Sequence, residues 1–239
     1  MTTTVMRAAS IAYLIGEGAQ GPAPVAVGQK FSSDGQVLAY PGNTFICHIP
    51  PGPAHRALTA AVQRLQDGLC APAFAFLPPS SYHMTVFEGV TDKDRSDGRW
   101  PEGIDAASQV DAVTAAFLQV IGKLELPTAV TIRPTGLFGG FSVRVEGATM
   151  ADQATLRRAR ESLREATGIC RPNFDDYTFH ITLAYLLRWL TPNEAETVML
   201  LSDEVAEGLL ADAPLIPLGG VEFCSFADMN AFPLIARLS

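Results

Sequence analysis

Four side chains of this sequence are suited by type and spacing to acid–base and anion chemistry. His83 and Thr85 stand two residues apart in Tyr82-His83-Met84-Thr85-Val86-Phe87, and His180 and Thr182 stand two apart in Tyr177-Thr178-Phe179-His180-Ile181-Thr182-Leu183-Ala184-Tyr185. Both runs are rich in β-branched and aromatic residues and lack Gly and Pro, which reads as strand. Strand side chains alternate faces, so each histidine shares a face with its threonine, while Met84, Val86, Ile181 and Leu183 point the other way. A strand that buries its aliphatic face then presents an imidazole and a hydroxyl on the other. An imidazole gives or takes a proton near neutral pH, and a hydroxyl can donate to an oxygen on which charge develops. His48 and His55 have no threonine two positions on and read as structural.

The elements that must hold these strands follow from periodicity and punctuation. Residues 1–30 form an arm dense in Gly and Pro from Gly16 to Gly28. Its apolar run 8–15 is too short for a leader, and Glu17 follows closely. Lys30 to Val37 reads as strand–turn–strand about Asp34-Gly35. Thr44 to Ile49 is a short buried strand, and Ala54 to Leu69 has helical spacing through Leu58, Val62, Leu65 and Leu69. The polar stretch 89–107 reads as a solvated loop, a candidate lid beside the first motif. Ser108 to Lys123 is helical, and 128–133 and 141–146 are strands joined by a glycine turn. Ala151 to Thr167 is a helix closed by Gly168. Thr191-Pro192-Asn193-Glu194 has the form of a capping box that starts a helix running to about Leu210. The chain closes with strands at 221–226 and 232–238.

These elements repeat. Thr44, Ala54 and His83 each precede Phe141, Ala151 and His180 by the same 97 residues. Each half reads strand, helix, motif strand, helix, strand, with the halves at about 44–136 and 141–226 of a single domain spanning 31–239. Two such lobes related by an approximate two-fold axis bring both motifs to one cleft.

Composition limits the chemistry. At 239 residues, 48% hydrophobic and 18% charged, the chain has ample core for a globular protein. A net charge of −8 argues against an extended nucleic-acid surface. Cys47, Cys70, Cys170 and Cys224 are scattered without Cys-x-x-Cys spacing, which favours reduced thiols and a cytoplasmic setting over disulfides or a zinc site. No apolar run reaches the length of a membrane span.

The paired His-x-Thr-hydrophobic strands, set about a hundred residues apart in a chain of this length, resemble those of the 2H phosphoesterase superfamily, which includes RNA 2′,3′-cyclic phosphodiesterases and 2′-5′ RNA ligase-like proteins. The run Lys30-Phe31…Asp34-Gly35…Pro41-Gly42-Asn43-Thr44 and the segment Tyr177–Leu190 look like a bacterial branch of it. The first motif departs from the commonest form in Val86, where Leu is usual, and in the nearby Glu88. The resemblance implies an α+β fold of two pseudo-symmetric lobes, with antiparallel-rich sheets lining a central cleft and helices outside. It implies His83 and His180 as catalytic acid and base in an order the sequence leaves open, and Thr85 and Thr182 as phosphate-binding groups. It implies a small phosphodiester or nucleotide or RNA-end substrate, no cofactor and no metal. Tyr82, Tyr177 and Tyr185 become candidates to stack on a base. Lys30 and Arg188, with Arg133 and Arg144, become candidates to neutralise phosphate. Two other readings stand beside this one: a non-catalytic nucleotide- or phosphate-binding protein on the same fold, and an interaction protein whose motifs are accidental. Histidines far apart, or packed in separate cores, would exclude the enzyme.

Overall fold

In a computed structural model, which describes residues 3–238, the chain orders as α1 (Thr3–Leu14), β1 (Gly42–His48), α2 (Pro53–Gln66), β2 (Phe74–Phe76), β3 (His83–Thr91), α3 (Val110–Ile121), β4 (Ala129–Phe138), β5 (Ser142–Gly147), α4 (Met150–Thr167), β6 (His180–Thr182), β7 (Ala184–Leu186), α5 (Pro192–Asp212), β8 (Ile216–Gly219), β9 (Val221–Phe226) and β10 (Leu234–Leu238). The fold is α+β. One sheet runs β10-β9-β1-β3-β6-β5-β4-β8, and β2 pairs with β7 in a separate ribbon. Among the described residues every pairing of these strands is antiparallel.

The order is symmetric about the β3–β6 junction. Moving outward, β1 matches β5, β9 matches β4, and β10 matches β8. The last strand of each repeat crosses over: β4, which ends the first repeat, pairs with β5, and β9, which ends the second, pairs with β1. The two expected sheets are therefore halves of one sheet, fused where the motif strands meet. Met84 and Ile181, both fully buried, belong to one apolar cluster with Leu58 of α2, Val113 and Phe117 of α3, Leu156 and Leu163 of α4, and Val205 and Leu209 of α5. Helices α2, α3, α4 and α5 pack on that face, opposite the histidines.

The helix ends follow their local chemistry. Thr149 and Thr191 each accept from the amide three residues on, and Asp152 and Glu194 reach back to complete both capping boxes. Gly168 closes α4 at φ 68°, a left-handed value that favours glycine.

Three expectations change. The N-terminal arm carries α1, whose Arg7 forms ion pairs with Glu196 and Asp203 of α5 and whose Leu14 is fully buried. The motif strand read over 177–185 is broken. Only His180–Thr182 lies in the large sheet. At Leu183 the amide donates to Phe141 O (2.7 Å) and the carbonyl accepts from Leu77 N (2.9 Å), which hands the chain to β2. The polar loop after β3 is not a lid on His83. It leaves the strand eight residues beyond that histidine, roughly 26 Å along an extended chain. Buried Trp100 anchors it, the Arg95 guanidinium stacks 4.4 Å from that ring, and the Glu102 amide donates to Gly168 O at the end of α4 (3.0 Å).

Candidate active site

The site is a consequence of one register. Met84 pairs with Ile181 across the antiparallel β3–β6 junction. Antiparallel order then sets His83 opposite Thr182 and Thr85 opposite His180, all on the face away from Met84 and Ile181. The two motifs form a square of alternating imidazoles and hydroxyls, each repeat supplying one half. The histidines lie near each other on one face of the sheet, not in separate cores.

Both imidazoles are held the same way. His83 Nδ1 lies 2.7 Å from Ser81 O, and His180 Nδ1 lies 2.9 Å from Thr178 O. A carbonyl can only accept, so each Nδ1 carries a proton, and Nε2 is left for proton exchange. Neither Thr85 nor Thr182 uses its hydroxyl on a protein partner among the described residues. Tyr177 Oη donates to Thr85 O (3.3 Å), which ties the chain before β6 to β3. Beneath it, buried Arg160 stacks 3.8 Å from the Tyr177 ring and donates to Val86 O at 2.7 Å. Val86 is the extra residue of a bulge, since Ile46 pairs with Thr85 and Phe45 with Phe87. Burial lowers the Arg160 pKa to about 10.

The symmetry of the four side chains is not the symmetry of their surroundings. Phe232 lies 4.2 Å from the His83 ring, centre to centre. A cavity of about 400 Å³ reaches the site from the other side, lined by His180, Thr182, Lys30, Arg144, Tyr177 and Tyr185 among others. Burial first, then the nearby His48, His180 and Lys30, push the His83 pKa down to about 4. Folded His83 thus refuses a proton that the unfolded chain accepts below its ordinary value of about 6.5. Stability is unaffected by this group above that pH and falls as pH drops from 6.5 towards 4. We expect the urea midpoint of the wild type to fall more between pH 7.5 and 4.5 than that of His83→Gln; an equal fall in both would contradict the assignment.

The other candidates divide. Lys30 is brought in: its Nζ donates to Tyr185 Oη (3.3 Å) and sits 5.3 Å over the Tyr40 ring. Burial works against its charge, but the surrounding Tyr185 and Tyr40 outweigh this, and its pKa is raised. Tyr185 is brought in beside it. Tyr177 lines the cavity, but Arg160 covers its ring and its hydroxyl is engaged, so it positions the strands rather than offering a free stacking face. Tyr82 is not brought in. It precedes His83 and so points to the opposite face, where it is buried with its ring 5.7 Å from His55, and burial raises its pKa to about 12. Arg188 is exposed and bound to Glu194 at the start of α5 (2.7 Å), outside the cavity. Arg133 pairs with Glu146, and Glu88 is taken up by Arg171 (3.3 Å).

Three residues lie outside the motifs: Arg144, one of the candidate cations, and Tyr13 and His48, which are not among the candidates. Arg144 pairs with His180 across β5–β6 and enters the cavity. Tyr13 of α1 forms part of its wall. His48, read as structural, pairs with His83 across β1–β3, with ring centres 6.3 Å apart, and its Nδ1 contacts Glu222. Among the described residues His48, Glu222 and Cys224 bring possible ligand atoms within 4.8 Å of one another. His48 and Glu222 already satisfy each other, and Arg237 lies 3.6 Å from Glu222, which disfavours a cation there.

No curated protein matches the sequence significantly. A family profile described as 2H-phosphodiest, Domain of unknown function (DUF1868), matches residues 30–138, which include His83 and Thr85. Among solved structures, ATU0111 from Agrobacterium tumefaciens str. C58, described as a conserved protein of unknown function, is 32% identical over 96% of this chain and 98% of its own, with a TM-score of 0.90. Weaker likenesses are E. coli LigT in apo form (13% identity, 84% of this chain and 97% of that one, TM-score 0.48) and TT0787 of Thermus thermophilus (16%, 82% and 96%, TM-score 0.43). With 32% identity over nearly the whole of both chains, the protein belongs to one family with the Agrobacterium protein, and its first repeat matches the 2H-phosphodiest (DUF1868) profile.

Proposed function

We propose that the protein is a metal-independent phosphodiesterase acting on a cyclic or RNA- or nucleotide-derived phosphodiester, with His83 as general base and His180 as general acid. The observation that carries this reading is the Met84–Ile181 register, which sets two His-x-Thr pairs side by side on one face of the sheet with both Nδ1 atoms tied back. Neutral His83 takes a proton from water on Nε2 while the water oxygen bonds to phosphorus. The bond from phosphorus to the leaving oxygen breaks, and protonated His180 gives that oxygen its Nε2 proton. Thr85 and Thr182 donate to the non-bridging oxygens, where charge grows. The surroundings favour this order. A water molecule suits the side closed by Phe232, and a bulky leaving group suits the side where the cavity opens. The low pKa of His83 keeps it neutral as a base. The chemistry asks nothing of a metal, because imidazole, imidazolium and hydroxyl perform each step. Four free cysteines fit a reducing, cytoplasmic setting.

The test is a screen of cyclic and linear phosphodiesters with the wild type beside the His83→Ala/His180→Ala double variant. Turnover of at least one diester by the wild type alone supports the proposal. Turnover of none, or equal turnover by both, defeats it. On a cleaved diester, Thr85→Val and Thr182→Val keep side-chain shape and delete one donor each, so kcat should fall roughly ten- to a thousand-fold with little change in fold. Unchanged kcat in both would remove the threonines from the mechanism.

A further inference from the structure

Arg144 is a cation without an assigned partner. It stands beside His180 on the neighbouring strand and lines the open cavity. Its guanidinium lies 4.7 Å from the Phe138 ring centre. Stacking of this kind fixes the plane and leaves the N–H edge free. Among the described residues no acceptor takes those N–H groups and no carboxylate pairs with them, whereas Arg133, on the adjacent strand β4, is bound to Glu146. Asp176 also borders the cavity but is exposed and bonded to neither Arg144 nor Lys30. A half-buried guanidinium left unpaired is unfavourable, and burial lowers its pKa. Adjacent strands lie about 4.8 Å apart, so β5 stands roughly 10 Å from β3, outside the interval between β3 and β6 where the reacting phosphorus would sit. The Arg144 fork is thus placed to meet a group beyond the scissile one, on the leaving-group side.

We propose that Arg144 binds a second phosphate carried on the leaving group, so that the preferred substrates are phosphodiesters whose leaving side is itself phosphorylated. The inference rests on the reading of His83 and His180 as a diester site. A planar fork on a fixed ring matches a phosphate through two parallel hydrogen bonds. Lys30, held by Tyr185 in the same cavity, supplies charge to the scissile group.

Calorimetric titration with adenosine 3′-phosphate and adenosine 3′,5′-bisphosphate at 0.15 M salt separates the two phosphates. The wild type should bind the bisphosphate at least about tenfold more tightly, as expected for one charge-assisted bidentate contact. In Arg144→Gln that advantage should shrink below threefold, with Arg144→Lys between the two. Arg133→Gln, which alters charge outside the cavity, should keep it. Equal affinities in the wild type, or an undiminished advantage in Arg144→Gln, would overturn the second-phosphate assignment alone. Binding of neither nucleotide would overturn the diester site beneath it as well.

Discussion

His83→Ala and His180→Ala should each lower kcat on a cleaved diester by about a hundred- to ten-thousand-fold, the span associated with a positioned acid or base. The double variant should lose little more than the worse single variant, because proton uptake and release belong to one displacement and neither half is useful alone. The two singles should differ in their pH dependence. The acid limb of kcat/KM in the wild type belongs to His83 and should lie well below pH 6.5, since burial holds that imidazole near 4. In His180→Ala, residual activity should depend on the pKa of the leaving group, because an oxygen that leaves easily needs no proton. Chelators should leave every rate unchanged. Steady-state kinetics on matched substrates reads all of this. Full activity in His83→Ala, or loss on chelation with rescue by a divalent ion, would contradict the assignment.

The largest effect on stability should come from Arg160, which takes no part in the proposed chemistry. It is 3% exposed and donates to Val86 O (2.7 Å) and Phe174 O (3.3 Å) while stacking on Tyr177. Arg160→Leu orphans both carbonyls, each costing about 1–3 kcal/mol if no water replaces the donor, and deletes a desolvated cation–π contact of about 2 kcal/mol. Removal of the charge's own burial cost offsets part of this. A net loss of about 2–4 kcal/mol is expected by urea denaturation. Arg160→Lys should recover little, because a point charge cannot span two carbonyls and stack at once. A change under about 0.5 kcal/mol would mean that the bulge at Val86 and the Tyr177 tie to Thr85 hold without it.

The motif half of the site is legible in sequence because alternation is local. His83 with Thr85, and His180 with Thr182, need only a period of two. Their convergence is legible from the common 97-residue offset. The same alternation excludes Tyr82, one residue from His83, so its place among stacking candidates conflicts with a rule already in use. The placement of Arg144, one of four candidate cations, and of His48, read as structural, is a different matter. Each enters the site through its pairing with a motif strand, β5 with β6 and β1 with β3. Register between distant strands leaves no periodic trace. Helix α1 is similarly hidden: nothing local distinguishes its apolar run, and packing of Leu14 and the Arg7 ion pairs with α5 decide its place. The break after Thr182 is tertiary too. Leu183 is as good a strand residue as Ile181, and only the competing partners Phe141 and Leu77 split the segment. The fused sheet follows from the crossover of β4 and β9, which a repeat in sequence cannot reveal, since the repeat fixes the order of elements and not which half they join.

The most direct measurement is the position of a tetrahedral anion in crystals soaked in phosphate. The account predicts density between β3 and β6, with oxygens within hydrogen-bonding distance of Thr85 Oγ1 and Thr182 Oγ1 and of the Nε2 atoms of His83 and His180. Phosphate bound elsewhere on the protein, with none between the two histidines, would contradict it.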